Sequence, residues 1–323
     1  MDEVRNFEYF ESRTVDEAIS FLSEWGEKAK IIAGGTDILV RLKKGLVACD
    51  CLISIMSIDE LTMLSETDGM LSIGSAVTLS TLLKTEITKG RYKLLRETTE
   101  RIAGPQIRNM ATLGGNLLQE VRCWFLHSGS HECLRRGYQK CTAPMNDNRY
   151  HAVLGAKGCF AVCPSDIAVA LSALDANVVL ERKSGERIMK LEELYGSHRH
   201  SISFDEILKR VIVPSPPAGS KQVFLKFAPR HADFATVSVA AVVVEERNIC
   251  KDTRIALGAL GPAPVRAKEA EEFLRGKPLS EQNAVKAAEI ALKATSPLDY
   301  NTYKVDLAKT LIKRALLYQE ENE

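Results

Sequence analysis

The sequence predicts an α+β protein of two or three domains, and three observations carry that prediction. The chain has 323 residues, enough for two or three cores of common size. Its first two thirds alternate apolar runs of strand length with apolar patterns of helical period. Its last third reads as three β-rich runs followed by three helical ones, set off by Pro214-Ser215-Pro216-Pro217-Ala218-Gly219. Three units are expected: 1–55, 56–215 and 220–323. Lys+Arg 43 against Asp+Glu 42 leaves a net charge of +1, which argues for neither nucleic acid nor an anionic membrane as partner.

In the first unit Val15, Ala18, Ile19 and Leu22 recur at helical spacing, and Gly26 stops the helix. Residues 30–33 read as a short buried strand. It runs into Gly34-Gly35-Thr36-Asp37 and the apolar Ile38-Leu39-Val40. A strand, a glycine turn and a polar pair can turn backbone N–H groups toward an anion. A plain tight turn has the same residues. A second pair, in Thr112-Leu113-Gly114-Gly115-Asn116, repeats the pattern, and two such loops suit a diphosphate.

The second unit opens with a strand at 70–74 and helices at 79–84 and 92–102, the latter broken by Ala103-Gly104-Pro105. Residues 166–174 form a strongly apolar helix, with Asp166 as cap or first-turn acid. A strand at 178–181, a short helix at 191–195 and a strand at 207–213 follow. In the third unit 223–227, 236–245 and 253–260 are β-rich, and 267–274, 280–294 and 305–319 are helical. Met1-Asp2-Glu3-Val4-Arg5 lacks the apolar core of a signal peptide. The run 234–244 is too short to cross a membrane. A cytoplasmic location is the expectation.

Five of the eight cysteines fall in one segment, spaced Cys123-x9-Cys133-x7-Cys141-x17-Cys159-x3-Cys163. In a reducing compartment such clustering points to metal more than to disulfides. The spacing is neither a paired zinc frame nor a compact ferredoxin run. The residues between are polar, basic and turn-prone, so the segment needs something to order it, and four thiolates around a metal cluster would do so. A four-iron cluster competes with structural zinc drawing on His127, His131 or His151, and with thiols that hold no metal. Cys163, Cys49, Cys51 and Cys250 read as structural.

Several stretches together resemble one family. They are Ala33-Gly34-Gly35-Thr36-Asp37, Thr112-Leu113-Gly114-Gly115-Asn116, Pro164-Ser165-Asp166, and Lys226-x3-Arg230-x2-Asp233-Phe234-Ala235. With Gly258-Ala259-Leu260-Gly261-Pro262-Ala263-Pro264-Val265-Arg266-Ala267 they are similar to the flavin subunit of the xanthine dehydrogenase and carbon monoxide dehydrogenase family. The resemblance covers nearly the whole chain. It implies a two-subdomain FAD-binding domain of the vanillyl-alcohol-oxidase (PCMH) type, followed by a C-terminal α+β flavoprotein domain.

By that resemblance Ile31, Ile32, Ala33, Gly34, Gly35, Thr36, Asp37 and Ile38 hold the FAD diphosphate together with Thr112, Leu113, Gly114, Gly115 and Asn116. Ile102 lies near the flavin ring, Asp166, Leu208 and Lys226 make further contacts, and Asp233 is a flavin-proximal acid. An insertion at about 119–162 carries the cysteines. It is similar to one in the 4-hydroxybenzoyl-CoA reductase β subunit, which implies a [4Fe-4S] cluster on Cys123, Cys133, Cys141 and Cys159. The gap from Cys141 to Cys159 is longer here, and Cys163 is additional.

The resemblance thus implies an electron-transfer subunit with no acid–base catalytic residue of its own. A large subunit would carry the molybdenum cofactor and a small one [2Fe-2S] clusters, in a dimer of heterotrimers served by a ferredoxin-type donor. The implied reaction is removal of the phenolic hydroxyl of 4-hydroxybenzoyl-CoA, giving benzoyl-CoA. Two rivals are the FAD subunit of a xanthine- or aldehyde-type hydroxylase passing electrons to NAD, and a zinc-bound scaffold without cofactor.

Overall fold

Val15, Ala18, Ile19 and Leu22 are all buried on one face of the helix Val15–Trp25, as their spacing predicts. Thr14 caps it by accepting from Glu17 N at 3.1 Å, and Gly26 ends it at φ 57°. The structure, a computed structural model, describes residues 6–318. The segment Met1–Arg5, read above as lacking a signal-peptide core, and Gln319, the expected end of the last helix, lie outside them.

Three sheets organise the chain. The first is parallel, with β1 (Glu8–Glu11) and β2 (Ala29–Ile32) flanking β3 (Cys51–Ser54). The second is antiparallel and contains β4 (Leu64–Thr67), β5 (Met70–Gly74), β6 (Asn177–Arg182), β7 (Gly185–Lys190) and β8 (Ile207–Pro214), in the order β4-β5-β8-β6-β7. The third runs β12-β11-β10-β9, from β9 (Lys221–Phe227), β10 (Val237–Glu246), β11 (Ile249–Gly258) and β12 (Val265–Arg266). The helices Lys268–Leu274, Glu281–Ala291 and Tyr303–Leu316 pack their apolar sides on it.

The helix Asp166–Ala173 joins the second and third sheets. Every one of its residues is buried, which fits an element that is apolar all round. Ser165, not Asp166, is its cap, accepting from Ala168 N at 3.1 Å, so Asp166 is a first-turn acid. Its side chains share one core with Leu71, Ile73 and Val211 of the second sheet and with Phe224, Ala240 and Ala256 of the third.

The second glycine pair is not a loop. Leu113–Leu117 is one helical turn, capped by Thr112. Gly114 N donates to Ser75 O at 2.8 Å and Gly115 N to Thr112 Oγ1 at 3.1 Å. Thr112, placed to accept from its own turn, converts the segment into a capped helix. Gly114 is needed for close approach, since a Cβ there would sit 2.7 Å from Ser75 Cβ.

The cysteine segment has more order of its own than its composition predicts. Val121, Leu126 and Ala161 form a small apolar cluster with Cys133 and Cys159, and Cys123 and Leu134 pack against it. Its far end is tied to the third unit. Asn301, fully buried, reaches Asn148 O, His151 O and Ala152 O with Nδ2 and accepts from Leu298 N at 2.7 Å. Lys304 Nζ donates to Ala259 O at 2.6 Å and His151 O at 3.0 Å, and burial pushes its amine down to about 7. Asn301→Ala is expected to lower stability by about 1–3 kcal/mol, because it leaves buried backbone groups unpaired. Urea unfolding checks this, and unchanged stability would mean the tie is not what anchors residues 148–152.

Candidate functional site

The turn after β2 presents a row of backbone donors. Among the described residues, no N–H group of Gly34, Gly35, Thr36 or Asp37 donates to another protein group. Gly35 supplies the left-handed conformation the turn needs, at φ 73°. The apolar Ile38-Leu39-Val40 opens the helix Ile38–Lys43 rather than a strand. Asp37 is fixed from two sides, by Arg122 at 2.8 Å and Arg41 at 3.5 Å. Arg41 also meets Glu120, which holds Arg135 at 2.6 Å. The cysteine segment is therefore pinned to the glycine turn by its own arginines, which sequence reasoning did not single out. Nothing in their spacing marked them.

Two adjoining cavities open over this turn and share Thr36, Asp37 and Gly115. The smaller, of about 150 Å³, is lined by Ile31, Ala33, Gly34, Gly35, Thr36, Asp37, Ile38, Thr112, Gly114, Gly115 and Leu208 among others. The larger, of about 550 Å³, is lined by Ile102, Asn116, Asp166, Lys226 and Asp233 among others. Of the residues the resemblance assigns to FAD, Ile32 and Leu113 line neither. Ile32 lies in β2, and Leu113 is buried in the main core.

At the far end of the larger cavity Lys226 Nζ donates to Asp166 Oδ2 at 2.8 Å and to Arg101 O at 2.9 Å. Both side chains are almost wholly buried. Burial raises the Asp166 carboxyl, and the Lys226 charge and the Ser238 hydroxyl draw it back. A third cavity of about 310 Å³ continues past Asp233 and Phe234 to Trp124, Tyr150, His151 and Cys123. Arg122 stacks on the Phe234 ring at 5.0 Å where the two cavities meet.

Of the four cysteines expected to bind a cluster, Cys133 and Cys159 share one small apolar cluster and Cys123 packs against it. Burial pushes the Cys123 thiol up to about 11, and charges on Cys133 and Cys141 add to it. Cys133 is raised by burial and by Cys159 and Cys141. The backbone N–H groups of Phe125 and Leu126 draw the Cys123 thiol back down, and those of Arg135 and Arg136 do the same for Cys133. Among the described residues no three His, Cys, Asp or Glu side chains converge as on a single ion. A four-iron cube spreads its thiolates over four corners and needs no such convergence.

The histidines considered for zinc are otherwise engaged. His127 Nε2 lies 3.1 Å from Val121 O and His131 Nδ1 2.9 Å from Ser128 Oγ. His151 Nε2 alone meets a cysteine, Cys123 Sγ at 3.2 Å, and burial pushes its ring down to about 4. Cys163 lines the same 310 Å³ cavity as Cys123. It belongs to the main core, where burial drives its thiol up to about 12. Cys49 and Cys51 are buried at β3 and Cys250 in the third unit's core.

A glycine turn with undonated N–H groups beside a cavity is a shape that suits the phosphate of a cofactor. A family model described as the FAD binding domain in molybdopterin dehydrogenase matches residues 5–216, and one described as the CO dehydrogenase flavoprotein C-terminal domain matches residues 222–319. The chain belongs to the FAD-binding medium subunits of the xanthine dehydrogenase and carbon monoxide dehydrogenase family. The predicted α+β fold, an FAD-binding domain followed by a C-terminal flavoprotein domain, is therefore correct.

The chain is 32% identical over 299 residues to the aldehyde oxidoreductase FAD-binding subunit of Escherichia coli, covering 89% of this chain and 90% of that one. It is 28% identical over 317 residues to the 6-hydroxypseudooxynicotine dehydrogenase complex subunit alpha of Paenarthrobacter nicotinovorans, covering 96% and 93%. Its structure is similar to a chain of the carbon monoxide dehydrogenase of Hydrogenophaga pseudoflava, with a TM-score of 0.79, 26% identity and 97% of both chains covered. Among the described residues no helix is long and apolar enough to cross a membrane.

Proposed function

We propose that the chain is the electron-transfer subunit of a molybdenum enzyme of the 4-hydroxybenzoyl-CoA reductase kind. The observation that carries this reading is that Cys133 and Cys159 share one small cluster with Cys123 packed against it, and that Cys123 lines a cavity of an FAD-binding subunit; Cys141 completes the set by its place in the sequence. FAD, when bound, supplies exchange of either one or two electrons with a neighbouring centre. The N–H groups of Gly34 to Asp37 bind its diphosphate, and Ile31, Ile38, Thr112, Gly114, Gly115 and Leu208 wall the cradle. Ile32, in β2, and Leu113, in the main core, complete the set the resemblance assigns to FAD. Asn116, Ile102, Asp166, Lys226 and Asp233 line the ring end, where fixed charge tunes the flavin.

The four cysteines hold a [4Fe-4S] cluster, which supplies one-electron exchange. The three units 1–55, 56–215 and 220–323, with the insertion at about 119–162, act as one cradle. A large molybdenum subunit and a small [2Fe-2S] subunit complete the enzyme, as a dimer of heterotrimers loaded by a ferredoxin-type donor. The substrate is reduced on the large subunit, and this chain works in the cytoplasm.

A second reading takes support from the relatives, which are named as dehydrogenases and oxidoreductases. In it the same cradle passes electrons outward to NAD. Metal analysis separates the two. Protein purified without oxygen is expected to hold about four irons per cluster and one FAD per chain. Cys141→Ser is expected to lose the four-iron signals and keep its FAD. Iron that survives in that variant, or FAD without iron in the unexposed wild type, would remove the reductase reading and leave the hydroxylase one.

A further inference from the structure

We propose that His151 donates an Nε2–H hydrogen bond to the Cys123 thiolate and is the positioning residue that sets the cluster's reduction potential. The proposal rests on the reading of Cys123, Cys133, Cys141 and Cys159 as cluster ligands. It goes beyond that reading by assigning a role to a residue outside the ligand set.

The geometry fixes the ring. Nε2 lies 3.2 Å from Cys123 Sγ. The ring stacks on Phe125 at 5.5 Å and 27°, and Trp124 covers it at 6.1 Å. Its backbone is held on both sides: N donates to Asn148 O at 2.9 Å, and the carbonyl accepts from Lys304 Nζ at 3.0 Å. The backbone is thus fixed, and the packing of the ring against Phe125 and Trp124 holds Nε2 at the sulfur.

The chemistry fixes the direction of the bond. A thiolate bound to iron offers only lone pairs, so a ring nitrogen at this distance must be the donor. Among the described residues His151 Nδ1 is buried and has no partner. A ring with its proton on Nε2 satisfies the sulfur and leaves Nδ1 bare, which matches what is seen. Cys123 is also the ligand that shares the 310 Å³ cavity with His151, on the side facing Asp166 and Phe234. The donor thus acts on the cluster's cavity-facing ligand.

A hydrogen bond to a cluster sulfur favours the more negatively charged, reduced state and raises the potential. Removing it lowers the potential. The test uses the assembled enzyme, purified without oxygen, in a redox titration followed by electron paramagnetic resonance. His151→Phe, which keeps a ring and loses the donor, is expected to shift the cluster midpoint to a more negative value. His151→Gln, which retains an N–H, is expected to recover part of that shift. FAD content is expected to stay constant in both.

Pulsed resonance on wild-type enzyme carrying 15N-histidine gives a readout that needs no variant to fold. A weak nitrogen coupling to the reduced cluster is expected. A cluster present with equal midpoints in all three proteins and no nitrogen coupling overturns the proposal. Absence of any four-iron signal in the wild type overturns the underlying reading, and this proposal with it.

Discussion

Gly34→Ala is expected to cost about 3 kcal/mol of stability and most of the bound FAD. A Cβ at Gly34 would stand 1.6 Å from Met110 O and 2.4 Å from Met110 C, so backbone must move. Met110 cannot give way freely. The next residue, Ala111, donates to Ile107 O at 2.7 Å and accepts from Leu79 N at 2.9 Å, and Leu79 is fully buried. The strain therefore falls on the glycine turn, whose N–H groups face the cavity.

Gly45→Ala is the control. It lies at φ 64° with nothing within 4 Å of its added Cβ. It should cost only the left-handed penalty of about 1–2 kcal/mol and keep its FAD. Urea midpoints and flavin per chain check both variants. Equal loss in the two would mean that conformation, not contact with Met110, makes Gly34 necessary.

The same contrast shows what was legible in the residues. Gly34-Gly35 was visible as a glycine turn, but its reason was not. Only Gly35 needs its backbone angle, and Gly34 is glycine because the helix Pro105–Met110 ends against it. Elements with local signals read well: Val15–Trp25 from its apolar stripe, Leu79–Lys84 exactly as long as its pattern, and Asp166–Ala173 from unbroken apolarity. The edge strands Leu64–Thr67 and Gly185–Lys190 were missed. Their side chains are mostly exposed and polar, as edges require, so no alternation announces them.

The cysteine segment was the least legible. Its thiolates could be counted, but not the tie that holds its far end, because Lys304 lies 153 residues along the chain from His151. Loop composition reports what a segment can bury by itself. It says nothing about what a distant helix brings to it. Lys226 and Asp166, in contrast, were both picked out, though as separate contacts. Their pairing needed the third sheet to be laid against the helix Asp166–Ala173.

That pairing carries the second large effect. Lys226→Met is expected to destabilise the protein by about 3–5 kcal/mol near neutral pH, the usual result of leaving one buried charge alone. The Asp166 carboxylate would then stay buried without the ammonium that faces it at 2.8 Å. Burial already raises this carboxyl in the folded protein, and loss of the lysine raises it further. Between the unfolded value and the raised folded one, the folded state binds the extra proton. Stability then falls as pH rises through that window, and the loss is absent below the unfolded value, where both states are protonated. The variant should therefore regain stability on acidification relative to wild type. Adding Asp166→Asn removes the stranded charge and should recover most of the loss at neutral pH. Urea unfolding of the single and double variants across the acid-to-neutral range measures both effects. A pH-independent deficit, or a double variant no better than the single, would show that Lys226 stabilises through its bond to Arg101 O rather than through Asp166.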